Sequence, residues 1–382
     1  MFEKALVGSK KYYGLVTFLM AIVGVAFILY LWQLKVGLKI TGMSRDVSWG
    51  FYIGQFTYLV GVAASAVMVV LPYYLHNYKA FGKITILGEF LAVGAVNMCL
   101  LFIIVDLGKP MRLLNVLLHP TPNSILFWDM IVLNVYLLLN IVIGWTVLEA
   151  ERKSVGPPAW VKPLIYLSIP WAVSIHTVTA YLYAGLPGRG FWLTAVMAPR
   201  FLSSAFCSGP ALLILLCLIV RRFTKFDPGK EQIQTLAKIV TYAIIINVFL
   251  ILCEIFTVFY SQIPEHMDHF KYLFSGYGKL VPWMWASIAL MLVSIALLIN
   301  PAVRRNENIL AVACVTVFAG TWIDKGFGLV VGGFVPNPLH KITEYWPTVP
   351  EVLISLGVWA AGFLILTLLY KIAISVKEEI AT

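Results

Sequence analysis

Long apolar runs separated by short polar segments dominate the pattern of this sequence. Each run continues for about 18 residues or more, the length that an α-helix needs to cross a bilayer. None shows the alternation of apolar and polar positions typical of a membrane β-strand, and only helices and closed barrels satisfy their backbone in lipid. The pattern predicts an all-α integral membrane protein with ten transmembrane helices, at residues 14–36, 49–75, 84–107, 124–148, 161–184, 191–222, 233–261, 280–300, 308–334 and 351–375.

The composition of the chain supports this prediction. Of its 382 residues, 60% are hydrophobic and 12% are charged, whereas a soluble domain has about half and about a quarter. A soluble enzyme, a zinc module and a nucleic-acid-binding protein are therefore disfavoured. The five cysteines form no C-x-x-C pair, so neither an iron–sulfur cluster, a c-type haem nor a disulfide framework is indicated. The N-terminal segment has no small-residue cleavage site, and we expect a retained first helix.

The distribution of basic residues predicts the orientation of the helices. Ten crossings put both termini on one side of the membrane, and that side receives 17 of the 28 Lys and Arg residues. Because cytoplasmic loops collect basic residues, both termini are expected in the cytoplasm of a multi-pass protein of the cytoplasmic membrane.

Four loops on the opposite side are rich in Gly, Pro and aromatic residues. They cover residues 106–114, 184–192, 263–279 and 332–351. Such loops are also found as ordinary turns in the aromatic belt of membrane proteins. Their restriction to one side favours a partner or a binding site on the extracytoplasmic face.

Ionisable residues inside the apolar runs are candidate functional residues, because charge is expensive in lipid. Carboxylates at several depths predict a proton pathway through Glu89, Asp106, Asp129 and Glu254; interhelical hydrogen bonding is the alternative. For Arg200, Asp324 and Lys325 a structural role is expected.

His176 is the one histidine well inside a predicted helix. A transmembrane haem is commonly held by two facing histidines, so neither haem nor a metal is expected. A single histidine suits an organic carrier of two electrons and two protons, although a structural hydrogen bond to a neighbouring helix is an open alternative. Asp106 is expected to act with it. Aromatic walls and convergent polar groups predict a quinone pocket, with contacts from Trp49, Tyr52, Gln55, Phe56, Lys109, Arg112 and His176.

Several motifs resemble a known family. DLGKPMR, WGFYIGQFTYLVGVAAS and FWDMIVLNVYLLLN are similar to motifs of the NrfD/PsrC family of quinone-interacting membrane subunits. HTVTAYLYAGLPGRGFW, EIFTVFYSQIPEH and GLVVGGFVPNPLHKITEYWPT resemble its DsrP branch, the membrane subunits of DsrMKJOP complexes. The resemblance implies a four-helix bundle with the quinone site at 41–190, a second bundle at 191–345, and flanking helices at 1–40 and 346–382.

The resemblance also implies a function and partners. The family's quinone contacts fall on Tyr52, Phe56 and His176, with Phe and His replacing polar and Tyr residues, and Gln55 could supply the missing polar group. The implied function is menaquinone chemistry in a complex of sulfur metabolism, with proton movement and no iron–sulfur cluster in this chain. The implied partners are an extracytoplasmic ferredoxin-like iron–sulfur subunit, a multihaem cytochrome c, a haem-b membrane subunit and a cytoplasmic iron–sulfur catalytic subunit.

Two other functions stay open. One is a secondary transporter of a small anion, with Arg200 and Lys325 as ligands, although broken inverted helix pairs are not evident in the sequence. The other is a purely structural anchor for redox subunits.

Overall fold

The structure is a computed structural model that describes residues 1–276 and 278–381. These residues form helices, turns and loops without a β-strand. The prediction of ten helices long and apolar enough to span a membrane is confirmed. They are α1 (Lys10–Val36), α2 (Phe51–Tyr74), α3 (Thr85–Asp106), α4 (Ile125–Arg152), α5 (Val161–Ala184), α6 (Met197–Phe223), α7 (Lys230–Tyr260), α8 (Val281–Ile299), α9 (Glu307–Phe334) and α10 (Val349–Ile380).

Short helical segments join the long helices. The α-helical ones are Glu3–Leu6, Asn115–Leu118, Pro264–Phe274 and Pro301–Arg304, and the 3₁₀ turns are Leu38–Ile40, Lys79–Lys83, Pro110–Arg112 and Gly190–Trp192. We call the side of the molecule that carries the two termini the termini face, and the opposite side the distal face. Tyr277, within the predicted distal loop 263–279, lies outside the described residues.

The beginning of α6 differs from the sequence prediction. The apolar run begins at residue 191, but Gly190–Trp192 is a 3₁₀ turn and α6 begins at Met197. Trp192 is fully buried, and its indole N–H donates to the carbonyl of Leu329 at 2.9 Å. Trp192 therefore belongs to a turn whose apolar side chain is buried, and the run of apolar residues begins before the helix does.

The long helices contact one another in a regular order. α2 packs on α3, α3 on α4, α4 on α5, and α5 on α2. The same cyclic order holds for α6, α7, α8 and α9, and α10 lies against α1 and α3. This order is compatible with the two-bundle arrangement and its domain boundaries, which stay predictions.

A π-helical turn, Trp322–Gly328, interrupts α9 where it packs on α2. A Cβ atom on Gly54 of α2 would lie 2.3 Å from the carbonyl oxygen of Gly326. Only glycine fits at this approach, which brings the two backbones into contact. It also places Asp324 and Lys325, within the π-turn, close to the boundary between the two groups of helices.

A buried carboxylate ties the distal face together. Glu351, in the first turn of α10, is 0% exposed and accepts backbone N–H bonds from Gly42 at 3.0 Å and Phe51 at 3.2 Å. The hydroxyl of Tyr345 also donates to it. Thr348 and Glu351 form a capping box at the start of α10. The connection before α2 is thereby fixed to the connection before α10.

Candidate functional site

His176 lies in α5 and is 0% exposed. Neither of its ring nitrogens has a hydrogen-bond partner in the described part of the chain. Buried polar groups in folded proteins are nearly always hydrogen-bonded, so an unpartnered imidazole calls for a ligand or an ordered water. Because α5 presents residues three and seven positions later on the same face, His176 shares its face with Thr179 and Tyr183.

Asp129 of α4 reaches this face of α5 through a hydrogen bond. The hydroxyl of Thr179 donates to Asp129 Oδ1 at 2.6 Å, and both residues are buried. Asp129 therefore bonds to a residue that lies one helical turn from His176 on the same face of α5.

Aromatic side chains form a wall beside this contact. Tyr183 hydrogen-bonds through its hydroxyl to Thr57 of α2. Its ring packs edge-on against Trp49 at 5.6 Å and Trp192 at 5.0 Å, and lies 5.9 Å from the ring of Phe201. Tyr183 lies on the same face of α5 as His176. Of the residues predicted to form the aromatic wall, Trp49 therefore contacts this face through Tyr183.

Tyr52 belongs to a second group at the distal end of α3. Its hydroxyl donates to Gln33 Oε1 of α1 at 2.8 Å, and the Gln33 amide donates to the Val105 carbonyl at 2.6 Å. Asp106 follows directly, and its buried Oδ1 has no hydrogen-bond partner among the described residues. The predicted residues Tyr52 and Asp106 thus lie at the same end of the molecule.

The other predicted contacts are placed differently. The carbonyl oxygen of Gln55 accepts from the indoles of Trp322 at 2.9 Å and Trp359 at 3.0 Å, so it is engaged between α9 and α10. Phe56 is buried in the core. Lys109 and Arg112 are exposed, next to or within the turn after α3.

A buried ionic cluster joins α6, α7 and α9. The guanidinium of Arg200 donates to Glu254 and, at 3.1 Å, to Asp324 Oδ2. All three residues are less than a tenth exposed. Asp324 therefore pairs with Arg200, and the neighbouring Lys325 lies over the ring of Phe201 at 4.1 Å.

Glu89 lies in α3 towards the termini face. It is 1% exposed, and neither of its carboxylate oxygens has a hydrogen-bond partner in the described structure. A Cβ atom on Gly144 of α4 would lie 3.0 Å from Glu89 Oε2. Asn140 and Tyr136, also buried, follow along the same face of α4 towards Asp129 at helical spacing.

A cleft of about 500 Å³ opens on the termini face between the ends of α2 to α5. Its lining includes Thr85 and Val147, one helical turn from Glu89 and Gly144 respectively. The cleft thus approaches Glu89 from outside.

A buried histidine joins two of the distal loops. Nδ1–H of His269 donates to the carbonyls of Gly332 at 2.7 Å and Val335 at 3.0 Å. Burial lowers the pKa of His269, and the neighbouring His266 and Arg189 act in the same direction, against the backbone hydrogen bonds. His269 is therefore a neutral structural link near pH 7.

Sequence reasoning missed several residues of these groups. Thr57 and Thr179 are ordinary helix residues by composition, and only the spacing of Thr179 from His176 could have indicated its role. Gln33 is an amide within a predicted span. The sequence T-x-x-E at 348–351 is a capping-box signal for Glu351.

Comparisons with known proteins agree with this architecture. The chain is 26% identical to a putative dimethyl sulfoxide reductase membrane subunit of Halobacterium salinarum, covering 87% of this chain and 85% of the relative. It is 26% identical to a selenate reductase subunit of Mesobacillus selenatarsenatis, over 91% and 90%. It is 23% identical to the Hdr-like menaquinol oxidoreductase integral membrane subunit of Archaeoglobus fulgidus, over 99% and 97%.

The family comparison covers most of the chain. The family described as polysulphide reductase, NrfD matches residues 39–336, which include α2 to α9, His176 and the ionic cluster of Arg200, Glu254 and Asp324. The resemblance seen in the motifs is confirmed, and the chain belongs to the NrfD family of multi-pass membrane proteins.

Proposed function

We propose that this chain is the quinone-interacting membrane subunit of a respiratory redox complex of sulfur metabolism. It would exchange electrons between menaquinone or menaquinol and an extracytoplasmic iron–sulfur subunit. The observation that carries the proposal is the fully buried His176 with both ring nitrogens unpartnered among the described residues. An imidazole in this state offers a hydrogen bond and a proton to a quinone oxygen.

The residues around His176 fit a flat head group. Tyr183 and Trp49 supply aromatic surface, while Thr179, on the same face of α5 as His176, is hydrogen-bonded to Asp129 of α4. Quinone reduction takes up two electrons and two protons, and the electrons come from the partner. His176 would hold one proton at a ring nitrogen, and Asp106, with Tyr52 beside it, would exchange protons with the distal face.

The names of the relatives support a role in a membrane-bound redox complex, and they differ in the substrate of that complex. The Archaeoglobus relative is named as a menaquinol oxidoreductase subunit, and the other two as subunits of dimethyl sulfoxide and selenate reductases. Menaquinone and the DsrP-like role in sulfur metabolism are proposed here from the menaquinol-linked relative and from the motifs. The proposed partners are the four redox subunits of DsrMKJOP-type complexes.

Substitution of His176 tests the quinone role. In the intact complex, His176→Ala should reduce menaquinol-linked electron transfer by about 10²-fold or more, because the proton-exchanging group is lost. It should also reduce the menaquinone that copurifies. Ser174→Ala is the matched control, since the Ser174 hydroxyl bonds only its own helix, to Pro170. Unchanged transfer rates and quinone content in His176→Ala would contradict the proposal and favour a structural anchor.

We further propose that protons reach the site from the termini face. The cleft, Glu89, Asn140, Tyr136 and Asp129 follow one another along α3 and α4, and water molecules would bridge them. Glu89→Gln should slow quinone-linked proton uptake by about tenfold, with Glu149→Gln on the surface of α4 as control. Uptake that continues at the original rate would argue against this path.

The transporter hypothesis is less well supported. Arg200, which would bind the anion, is already paired with two carboxylates. Uptake of sulfite or sulfate by the chain alone in quinone-free vesicles would favour it.

A further inference from the structure

Lys325 is a buried lysine with no carboxylate at ion-pair distance in the described part of the chain. It is 4% exposed, and its Nζ donates to the Phe201 carbonyl at 3.4 Å and lies 4.1 Å from the centre of the Phe201 ring. Within residues 1–276 and 278–381, no carboxylate forms an ion pair with it. The adjacent Asp324 is engaged by Arg200.

Lys325, within the π-turn, reaches α2. A Cβ atom on Gly61 of α2 would lie 3.2 Å from Lys325 Nζ and 3.3 Å from the hydroxyl oxygen of Ser208. The ammonium thus lies where α2, α6 and α9 meet. A buried cation without a counter-ion is costly, and π-turns are frequent at functional sites.

The ring that Lys325 touches is part of the aromatic wall beside His176. Phe201 lies 5.9 Å from Tyr183, which shares a helix face with His176. Lys325 is thus linked to that helix face through the rings of Phe201 and Tyr183. Its positive charge is therefore directed at the proposed quinone site from behind Phe201.

We propose that Lys325 supplies the positive charge that stabilises a negatively charged ring oxygen on a ligand bound at His176. The ligand class is a quinone head group with an ionised oxygen, such as a singly deprotonated quinol. This inference rests on the proposed function and adds an electrostatic residue to it. Lys325 acts through space, and its contribution is largest for ligands that carry negative charge, because the surroundings are poorly screened.

Two naphthoquinones of similar shape but different charge distinguish the effect of ligand charge on binding from that of ligand shape. 2-Hydroxy-1,4-naphthoquinone is an anion at pH 7, and 2-methyl-1,4-naphthoquinone is neutral with the same rings. Their dissociation constants are measured with the full-length protein in detergent by quenching of tryptophan fluorescence. Lys325→Met should weaken binding of the anion by about tenfold and change binding of the neutral quinone less than about twofold.

Further variants control for folding and for cationic charge elsewhere. Lys325→Arg should keep the preference for the anion, and Lys325→Gln serves as the neutral variant if Lys325→Met fails to fold. Lys371→Met is the matched control, because Lys371 also lies over an aromatic ring, that of Tyr12, at 6.0 Å. It should bind both quinones as the unaltered chain does.

The outcomes distinguish this inference from the proposed function. Equal weakening of both quinones, or no change for either, in the neutral Lys325 variants would overturn the role of Lys325. If His176→Ala binds both quinones as tightly as the unaltered chain, the proposed function itself is wrong. If Lys325→Met weakens binding of the anionic quinone alone, and if His176→Ala weakens binding of both quinones, the results would support the role of Lys325 and the proposed function.

Discussion

Single residues that break the apolar pattern determine how this protein is stabilised, and Arg200 is the clearest case. It forms ion pairs with two buried carboxylates, Glu254 and Asp324. Removing one partner of a buried ionic cluster leaves uncompensated charge, at about 3–5 kcal/mol. We therefore expect Arg200→Met to lower the melting temperature of the detergent-solubilised protein markedly.

The control and the rescue for Arg200→Met are specific. Replacing the exposed Arg222 with Met should leave the melting temperature unchanged, while adding Glu254→Gln and Asp324→Asn to Arg200→Met should restore most of the loss. A melting temperature that Arg200→Met does not change would contradict a stabilising role. It would also revive the interpretation of Arg200 as an anion ligand.

His269 makes the folding stability of the protein depend on pH. Its pKa is lowered by burial, so the unfolded chain binds a proton at His269 more readily than the folded chain does. The stability that neutral His269 contributes is therefore present above the unfolded pKa of about 6.5 and is lost as the pH falls below it. Melting temperatures measured from pH 7.5 to 5 should fall less in His269→Gln than in the unaltered chain, and parallel profiles would exclude this role.

The sequence singles out candidate residues by their type, but it does not identify their hydrogen-bond partners. His176 and Asp129 stand out in any apolar run, because an ionisable group in lipid is expensive. Gln55 was expected at the quinone, yet its carbonyl oxygen is taken by Trp322 and Trp359. The rotation of a helix such as α2 depends on packing against elements some 270 to 300 residues away, and a local pattern holds no information on it.

At the level of elements, the close contact between α2 and the π-turn of α9 connects the two groups of helices. Gly54→Ala would place its Cβ 2.3 Å from the Gly326 carbonyl oxygen, so we expect a loss of about 1–3 kcal/mol in stability. Gly94→Ala is the matched control, because a Cβ there meets its nearest atom at 3.7 Å. Gly94→Ala should be neutral or slightly stabilising, and equal melting temperatures for both variants would contradict the contact.

The number and approximate positions of the transmembrane helices could be predicted from the sequence, but the irregular turns at or within those helices could not. All ten spans appear near their predicted positions, because an apolar segment of about 20 residues has no other stable backbone in lipid. The late start of α6 is marked by no apolar-to-polar change in the sequence. Asp324 and Lys325 do interrupt the apolar run of α9, but their presence does not predict a π-turn. The late start and the π-turn both depend on tertiary contacts, of Trp192 with Leu329 in one case and of Gly54 with Gly326 in the other.

For the whole molecule, the proposed extracytoplasmic electron partner requires the distal face to lie outside the cytoplasm. The excess of basic residues on the termini face favours a cytoplasmic location for both termini. Two exposed positions report on the opposite faces: Leu339 in the loop after α9 is 85% exposed, and Phe223 at the end of α6 is 72% exposed.

Cysteine labelling in intact cells tests this orientation. A membrane-impermeant maleimide should label Leu339→Cys directly and Phe223→Cys only after permeabilisation, because the reagent reaches only the outer face of the membrane. The unaltered chain controls for its five native cysteines, four of which are buried. The reverse labelling pattern would put the distal loops, and with them Asp106, in the cytoplasm. The proposed iron–sulfur partner would then have to be a cytoplasmic protein, and the cleft beside Glu89 would open to the extracytoplasmic side.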